Sequence, residues 1–394
     1  MDEMIAKIIN EEKNAFYVFD SSVLKKRVRY LQEHLPPNVE LCYAVKANPF
    51  IPKEIEYDAE RFEICSPGEA DICFSQNIDE DRMVISGIYK TPSFIEELVK
   101  NGFRGIITAE SLTQYEQLCE LSEKYSCRIK VLPRLTNGSQ FGMNEADIEM
   151  IVDSIADHPR IEISGIQFFS GTQKTSLKKF KRELEYLDGF LKKLREEHAF
   201  HAAELEYGTG FPVSYFEGED LDEEALLAGF SELVEQMEFK GEIILELGRS
   251  IAASCGKYYT RIVDIKQNKG QDYAMIDGGM HHLVYFGQYM AMKKPVFSVV
   301  GKSGTVPDRQ WTICGFLCSM NDIVVKQAEL PEIEIGDVIC FENTGAYCMT
   351  EGISLFLSRD IPAVYITGED GSVYRVRPSF ETKELNTPKY ERMF

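Results

Sequence analysis

Residues 41 to 49 read Leu41-Cys42-Tyr43-Ala44-Val45-Lys46-Ala47-Asn48-Pro49. β-Branched and aromatic residues favour a strand here, and Asn48-Pro49 stops it because proline cannot extend a ladder. The run therefore delivers Lys46 to a strand end. Buried there, the amine would favour its neutral form and could attack a carbonyl to give a Schiff base. A lysine that snorkels, with its charge in water, is the plainer reading of the same residues. The rest of the chain decides between the two.

Outward from this stretch, apolar strand-like runs alternate with amphipathic helical patterns. The strands are expected at 41 to 46, 62 to 65, 83 to 86, 105 to 109, 128 to 135, 163 to 170, 203 to 207 and 242 to 247. Helical patterns fall between them, at 92 to 100, 112 to 125, 145 to 155 and 177 to 197. Near-continuous apolar strands alternating with helices indicate a buried parallel sheet, closed as a (β/α)8 barrel or open and doubly wound. A count of eight favours the α/β barrel. Before it, Ala15 to Asp20 read as a strand, with Asp20 or Ser21 capping the next helix.

From about Ser254 the rhythm changes to short strands and turns, at 258 to 266, 273 to 276, 311 to 317, 338 to 341, 363 to 367 and 373 to 378. These predict a C-terminal, mostly antiparallel β-domain, joined by the N-terminal strand. The expected division is a barrel over 25–253 and a β-domain from 1–24 and 254–394.

The 394 residues carry a net charge of −21. No basic patch interleaved with aromatics stands out, so neither nucleic acid nor an anionic membrane surface is the expected partner. Ten scattered cysteines without a signal-peptide pattern suggest a reducing, cytoplasmic compartment rather than a disulfide framework. Cys314 and Cys318 lie four apart, but no second pair at zinc spacing supports a metal site. His198 and His201 lie in a charged stretch and read as solvated.

In a barrel the active site lies at the C-terminal strand ends. Those ends deliver Lys46, then Cys65 to Glu69, Gln140-Phe141-Gly142, Phe168 to Thr172, Gly208-Thr209-Gly210 and Glu246 to Ser250. Glycines at 208 and 210 let backbone approach a ligand, and with Arg249 they could hold a phosphate. Glu246 could pair with Arg249 or with a protonated ring nitrogen. An amine, a phosphate cradle and a carboxylate are the parts that pyridoxal 5'-phosphate (PLP) needs.

Six motifs stand in one order: Tyr43 to Pro49, Phe62 to Glu69, Glu246-Leu247-Gly248-Arg249, Asp277-Gly278-Gly279, Cys318 and Gly345-Ala346-Tyr347. Over most of its length the chain resembles the barrel-type PLP-dependent amino-acid decarboxylases, the diaminopimelate and ornithine decarboxylase family. The resemblance implies that Lys46 carries the cofactor as a Schiff base and that Glu246 keeps its ring nitrogen protonated. It implies that Thr172, Gly208, Thr209, Gly210, Gly248, Arg249 and Tyr347 bind the phosphate region. It further implies a homodimer in which Cys318 of the partner subunit reprotonates the carbanion, with Ser319 and Asp322 near the substrate.

The chain also departs from the family. Phe169 stands where a histidine usually stacks on the cofactor ring, so the aromatic face remains and the polar edge does not. Ser319 replaces the acidic residue that grips a distal amine, and the arginine of diaminopimelate-specific relatives is absent from 281 to 288. Gly278 to His282, Gln140 to Met143 and Gly171 to Gln173 are similar to a natural-product side branch acting on conjugated amino acids, including aminoacyl groups on a carrier protein. His281 and His282 could line the entrance, though paired loop histidines are as often simply exposed. The rival readings are an amino-acid racemase of the alanine-racemase kind and a catalytically silent PLP-binding protein.

Overall fold

The computed structural model describes all residues except 1, 2, 303, 304, 308, 392 and 394. The chain forms two units, one of Lys25–Val213 with Leu221–Ile251, the other of Met1–Leu24, Ser214–Asp220 and Ala252–Phe394.

The first unit is the barrel. Its strands are β1 (Val39–Ala44), β2 (Arg61–Ile64), β3 (Met83–Ile85), β4 (Ile106–Ala109), β5 (Ile129–Leu135), β6 (Gly165–Phe169), β7 (Glu204–Gly208) and β8 (Glu242–Leu247). Each pairs in parallel with the next, and β8 pairs with β1, so the ring closes. A short strand, Ile161–Ile163, pairs beside β5 outside the ring. Strands covered on both faces have no solvent-facing side, so β4 and β7 are buried at every position.

Helices between the strands follow the expected spacing. In Leu177–Glu197 the buried residues are Phe180, Leu184, Leu187, Phe190, Leu191 and Leu194, one stripe at three- and four-residue intervals. The helix Pro67–Ser75 starts where Ser66 accepts from Glu69 N with proline at the first position, and Leu112–Tyr125 starts where Ser111 accepts from Gln114 N.

In the second unit, Phe16–Asp20 joins the sheet, antiparallel to Gly256–Asn268 and parallel to Ala363–Thr367. Asp20 Oδ1 then accepts from Ser22 N and Val23 N at 2.8 and 3.0 Å, capping the helix Ser21–Glu33. Four elements go beyond the sequence reading, one of them the short helix Lys383–Asn386. Helix Glu3–Glu11 sets Ile5, Ile8 and Ile9 against a cluster with Phe16, Tyr259 and Tyr365. Strand Phe297–Val299 is only three residues long. Strand Ile323–Leu330 is bulged against Arg309–Cys314, and Gln327 has φ +52°, which breaks the alternation a sequence pattern needs. The strand expected over 311 to 317 ends at Cys314, because 315 to 322 form a loop.

Candidate active site

β1 ends at Ala44, and Val45–Ala47 form a single 3-10 turn, so Lys46 is carried by the turn after the strand rather than by the strand itself. Tyr43 OH donates to Asn48 O at 3.0 Å, and Asn48 Oδ1 accepts from Phe50 N at 3.0 Å, which fixes the exit of the turn. The Lys46 side chain is 40% exposed, and its Nζ lies 2.5 Å from Glu63 Oε2. The amine is thus held in an ion pair instead of an apolar pocket. Cys65 Sγ is 3.5 Å from Lys46 Nζ and donates to Glu63 Oε1 at 3.1 Å. Burial and then the Glu63 charge push the Cys65 thiol well up, so it stays protonated and able to donate. Burial would raise the Glu63 carboxyl, but Lys46 and the thiol outweigh it and hold it below its ordinary value.

Glu246, next to last on β8, is buried. Burial first, then the Glu63 and Glu206 charges, pushes its carboxyl well up, with Lys46 and Arg134 acting against them. A carboxylate in such a place stays charged only with donors or cations beside it.

Backbone closes on this region at two glycines. A Cβ on Gly208 would lie 2.2 Å from Phe169 Cδ2 and 3.0 Å from Glu246 Oε2, so Gly208 sits between ring and carboxylate. Gly210 has φ +61°, and a Cβ there would fall 2.0 Å from Gly171 O and 2.8 Å from Thr172 Cα. Only glycine permits that approach, which brings the ends of β6 and β7 together. Thr209 between them is fully buried, its hydroxyl without a hydrogen-bond partner among the described residues. Gly248 leads from β8 into Arg249–Ala252, where Arg249 is buried.

On β5, Arg134 pairs with Glu110 at 2.6 Å, and its guanidinium lies 5.9 Å from the Phe169 ring and 4.9 Å from the Phe141 ring. Such a cation favours the negative faces of the rings.

In the other unit, Asp322 is buried, and its oxygens accept from Met280 N at 2.7 Å and Leu317 N at 2.9 Å. A Cβ on Gly279 or Gly315 would approach those oxygens to 2.4 and 2.2 Å. The Asp277-Gly278-Gly279 turn is thereby clipped to the loop that carries Cys318, which is exposed, and Ser319, which is half-buried. Asp277 Oδ1 accepts from Thr260 Oγ1 at 2.6 Å and Arg261 N at 2.8 Å. Tyr347 has φ +64°. His281 and His282 are buried rather than exposed, their rings 3.8 Å apart, with His282 between Tyr258 OH at 3.0 Å and Asp360 O at 2.7 Å. His198 is partly buried, its Nδ1 2.8 Å from Asp153 Oδ1, and His201 is exposed as expected.

The family model for pyridoxal-dependent decarboxylase, C-terminal sheet domain, the group of ornithine, diaminopimelate and arginine decarboxylases, matches residues 16–345. The chain belongs to the pyridoxal-dependent decarboxylases. It is 26% identical to the L-glutamyl-[BtrI acyl-carrier protein] decarboxylase of Niallia circulans, covering 95% of this chain and 93% of that one. It is likewise 26% identical to the diaminopimelate decarboxylase of Zymomonas mobilis, with the same coverage. Its fold is that of the Helicobacter pylori diaminopimelate decarboxylase complexed with L-lysine, at TM-score 0.83, 22% identity, and coverage of 97% and 98%.

The enzyme is a PLP-dependent amino-acid decarboxylase, and its barrel interior fits that cofactor. Burial and neighbouring carboxylates push Glu246 well up despite Lys46 and Arg134, so a protonated ring nitrogen would supply the charge it needs, and Gly208, where a Cβ would lie 2.2 Å from Phe169, lets that ring lie close against the backbone beside it. The barrel brings Lys46, Phe169, Thr172, Gly208, Thr209, Gly210, Glu246, Gly248 and Arg249 into one unit, whereas Cys318, Ser319, Asp322 and Tyr347 belong to the other. Sequence reasoning gave no role to Glu63, Gln167, Glu206 or Arg134. Each is a polar residue set in an apolar barrel strand, and that interruption was the available signal. Among the described residues no helix is long and apolar enough to cross a membrane.

Proposed function

We propose that this decarboxylase removes CO2 from the amino-acid end of a conjugated substrate, an aminoacyl group on a carrier protein, with Lys46 as the residue that binds the cofactor covalently. The observation that carries the reading is the Lys46–Glu63 pair at 2.5 Å in the barrel unit that also buries Glu246. When bound, PLP accepts the electron pair released as the bond between Cα and the carboxylate breaks.

The chain's own residues do the remaining work. Glu63 orients the Lys46 amine and takes up or returns its proton at Oε2. Glu246 presents a carboxylate to the ring nitrogen, and Phe169 offers an aromatic face. Within the barrel unit, Thr172, Gly208 to Gly210, Gly248 and Arg249 hold the phosphate, by backbone N–H groups, hydroxyls and the guanidinium. Cys318 of the partner subunit in a homodimer delivers the proton to Cα from its thiol. Asp322 holds the Cys318 loop through Leu317 N rather than meeting the substrate directly.

A conjugated substrate is supported by three features. Ser319 follows Cys318 in place of an acid, no arginine stands in 281 to 288, and the Niallia circulans relative is named for a carrier-bound glutamyl group. A site built for a distal charge would be poor without its partner. Ten free cysteines fit a reducing cytoplasm.

The test is a substrate panel read by mass spectrometry: ornithine, lysine, diaminopimelate, arginine and carrier-bound glutamate. Loss of CO2 from the carrier-bound substrate is expected. Turnover of only the free diamino acids overturns the substrate assignment, and racemisation without CO2 supports the racemase reading.

A further inference from the structure

Inside the barrel, a row of polar side chains runs from the N-terminal strand ends toward Glu246. Arg61, the first residue of β2, meets Glu204 Oε2, the first residue of β7, at 2.5 Å and Glu206 Oε2 at 3.7 Å. Gln167, at the centre of β6, then donates from one Nε2 to Glu206 Oε1 and to Glu246 Oε1, both at 2.7 Å. All three residues of this bridge are buried, at 1%, 0% and 8% exposure. Only the amide nitrogen can face two carboxylates, because the oxygen would repel both. That nitrogen has two hydrogens, one for each partner. The Gln167 Oε1 makes no hydrogen bond among the described residues, so the orientation is set by the carboxylates.

We propose that Gln167 is a positioning residue that aims the Glu246 carboxylate at the cofactor's ring nitrogen and keeps it ionised for that contact. The inference rests on the reading that Glu246 meets the ring nitrogen.

The groups facing Glu246 explain why a donor is needed. Glu63 on β2 and Glu206 on β7 repel its charge, Lys46 and Arg134 on β5 favour it, and the Cys42 thiol on β1 is neutral. Burial and repulsion together outweigh the two cations and push Glu246 well up, while Glu206 is pushed up to about 7, first by its own burial. A hydrogen bond to the charged form works against both effects. Without it, Glu246 would take a proton, and a neutral carboxyl cannot hold a cationic nitrogen. Arg61 serves the same end at the far side of the bridge, since it balances Glu204 and Glu206 and so leaves the amide free to serve Glu246.

The experiment uses holoenzyme reconstituted with ring-15N-labelled PLP. Nitrogen NMR separates a protonated from a neutral ring nitrogen, a readout that loss of packing alone would not move. Wild type should give the protonated signal. Gln167→Leu, similar in size and without a donor, should shift it toward the neutral form and weaken cofactor retention by about ten- to a hundredfold. Glu206→Gln keeps the Gln167 bond to Glu246 and should keep the protonated signal. A protonated signal that persists unchanged in Gln167→Leu overturns the inference. Glu246→Gln, run alongside, tests the underlying reading: if the signal stays protonated there, Glu246 is not the nitrogen's partner. If Gln167→Leu retains no cofactor, infrared difference spectra of the apoprotein decide. A carboxylic-acid band that Glu246→Gln removes should be stronger in Gln167→Leu than in wild type, and equal intensity contradicts the role.

Discussion

Lys46 Nζ sits 2.5 Å from Glu63 Oε2, so the amine that ends the first barrel strand is met by a carboxylate from the second. Strand register produces the pair: β1 and β2 run parallel with Ala44 opposite Glu63, and the 3-10 turn then carries Lys46 over its neighbour. The Lys46 end is 40% exposed, which limits what the pair adds to folding, so its effect should show in cofactor handling. Glu63→Gln is expected to weaken PLP retention roughly tenfold or more, the scale of a hydrogen bond to a charged group. Glu63→Asp should weaken it less. Fluorescence titration of the apoprotein measures both. Since the Glu63 carboxyl is held low, the pair is complete above the usual carboxylate range and is lost as pH falls through the depressed value.

Gly208 tests the cradle. An added methyl would lie 2.2 Å from the Phe169 ring and 3.0 Å from Glu246 Oε2, so Gly208→Ala must displace one of them. Overpacking of this kind costs about 1–3 kcal/mol. Thermal melts should show that loss, and cofactor titration should show a larger one if, as proposed, the displaced groups face the cofactor ring. A variant that binds PLP as wild type does would remove Gly208 from the site.

Asp322 should matter through the Cys318 loop. Asp322→Ala leaves Met280 N and Leu317 N without their acceptor, at about 1–3 kcal/mol for each buried group. Hydrogen exchange at 315 to 318 should rise by roughly the corresponding factor, and CO2 release should fall while cofactor absorbance is kept. Unchanged exchange would show that the loop is held by other contacts.

The two buried histidines set an acid limit. Burial lowers His281 to about 3, with His282 adding to the effect, and lowers His282 to about 4. Unfolded histidine titrates near 6.5, so the unfolded chain binds more protons below that pH. Stability is therefore full above about 6.5 and falls as pH drops toward 4. Denaturant melts across that range should steepen in wild type and flatten in the His281→Asn/His282→Asn double variant, provided it folds at neutral pH.

Much of this was legible in the sequence. Eight near-continuous apolar runs alternating with helices gave the barrel, since strands covered on both faces leave a long hydrophobic signature. The bulged strand Ile323–Leu330 was not legible, as a bulge shifts the alternation by one residue. Within the site, Glu246 stood out because Gly248 and Arg249 follow it. Glu63, Gln167 and Glu206 each break an apolar run in the same way, in Phe62-Glu63-Ile64, Ile166-Gln167-Phe168 and Leu205-Glu206-Tyr207. A single polar residue does not reveal its partner, and the partners here lie on different strands, fixed by register and closure. The burial of His281 and His282 was hidden for a similar reason, because loop residues carry no periodicity to report it.

Covalent attachment at Lys46 is read directly by trapping the bound cofactor. Holoenzyme is reduced with borohydride, digested and mapped by mass spectrometry. The phosphopyridoxyl mass is expected on the peptide containing Lys46, with the visible absorbance lost on Lys46→Ala. Finding that mass on another lysine, or an unchanged visible spectrum in Lys46→Ala, would contradict the account.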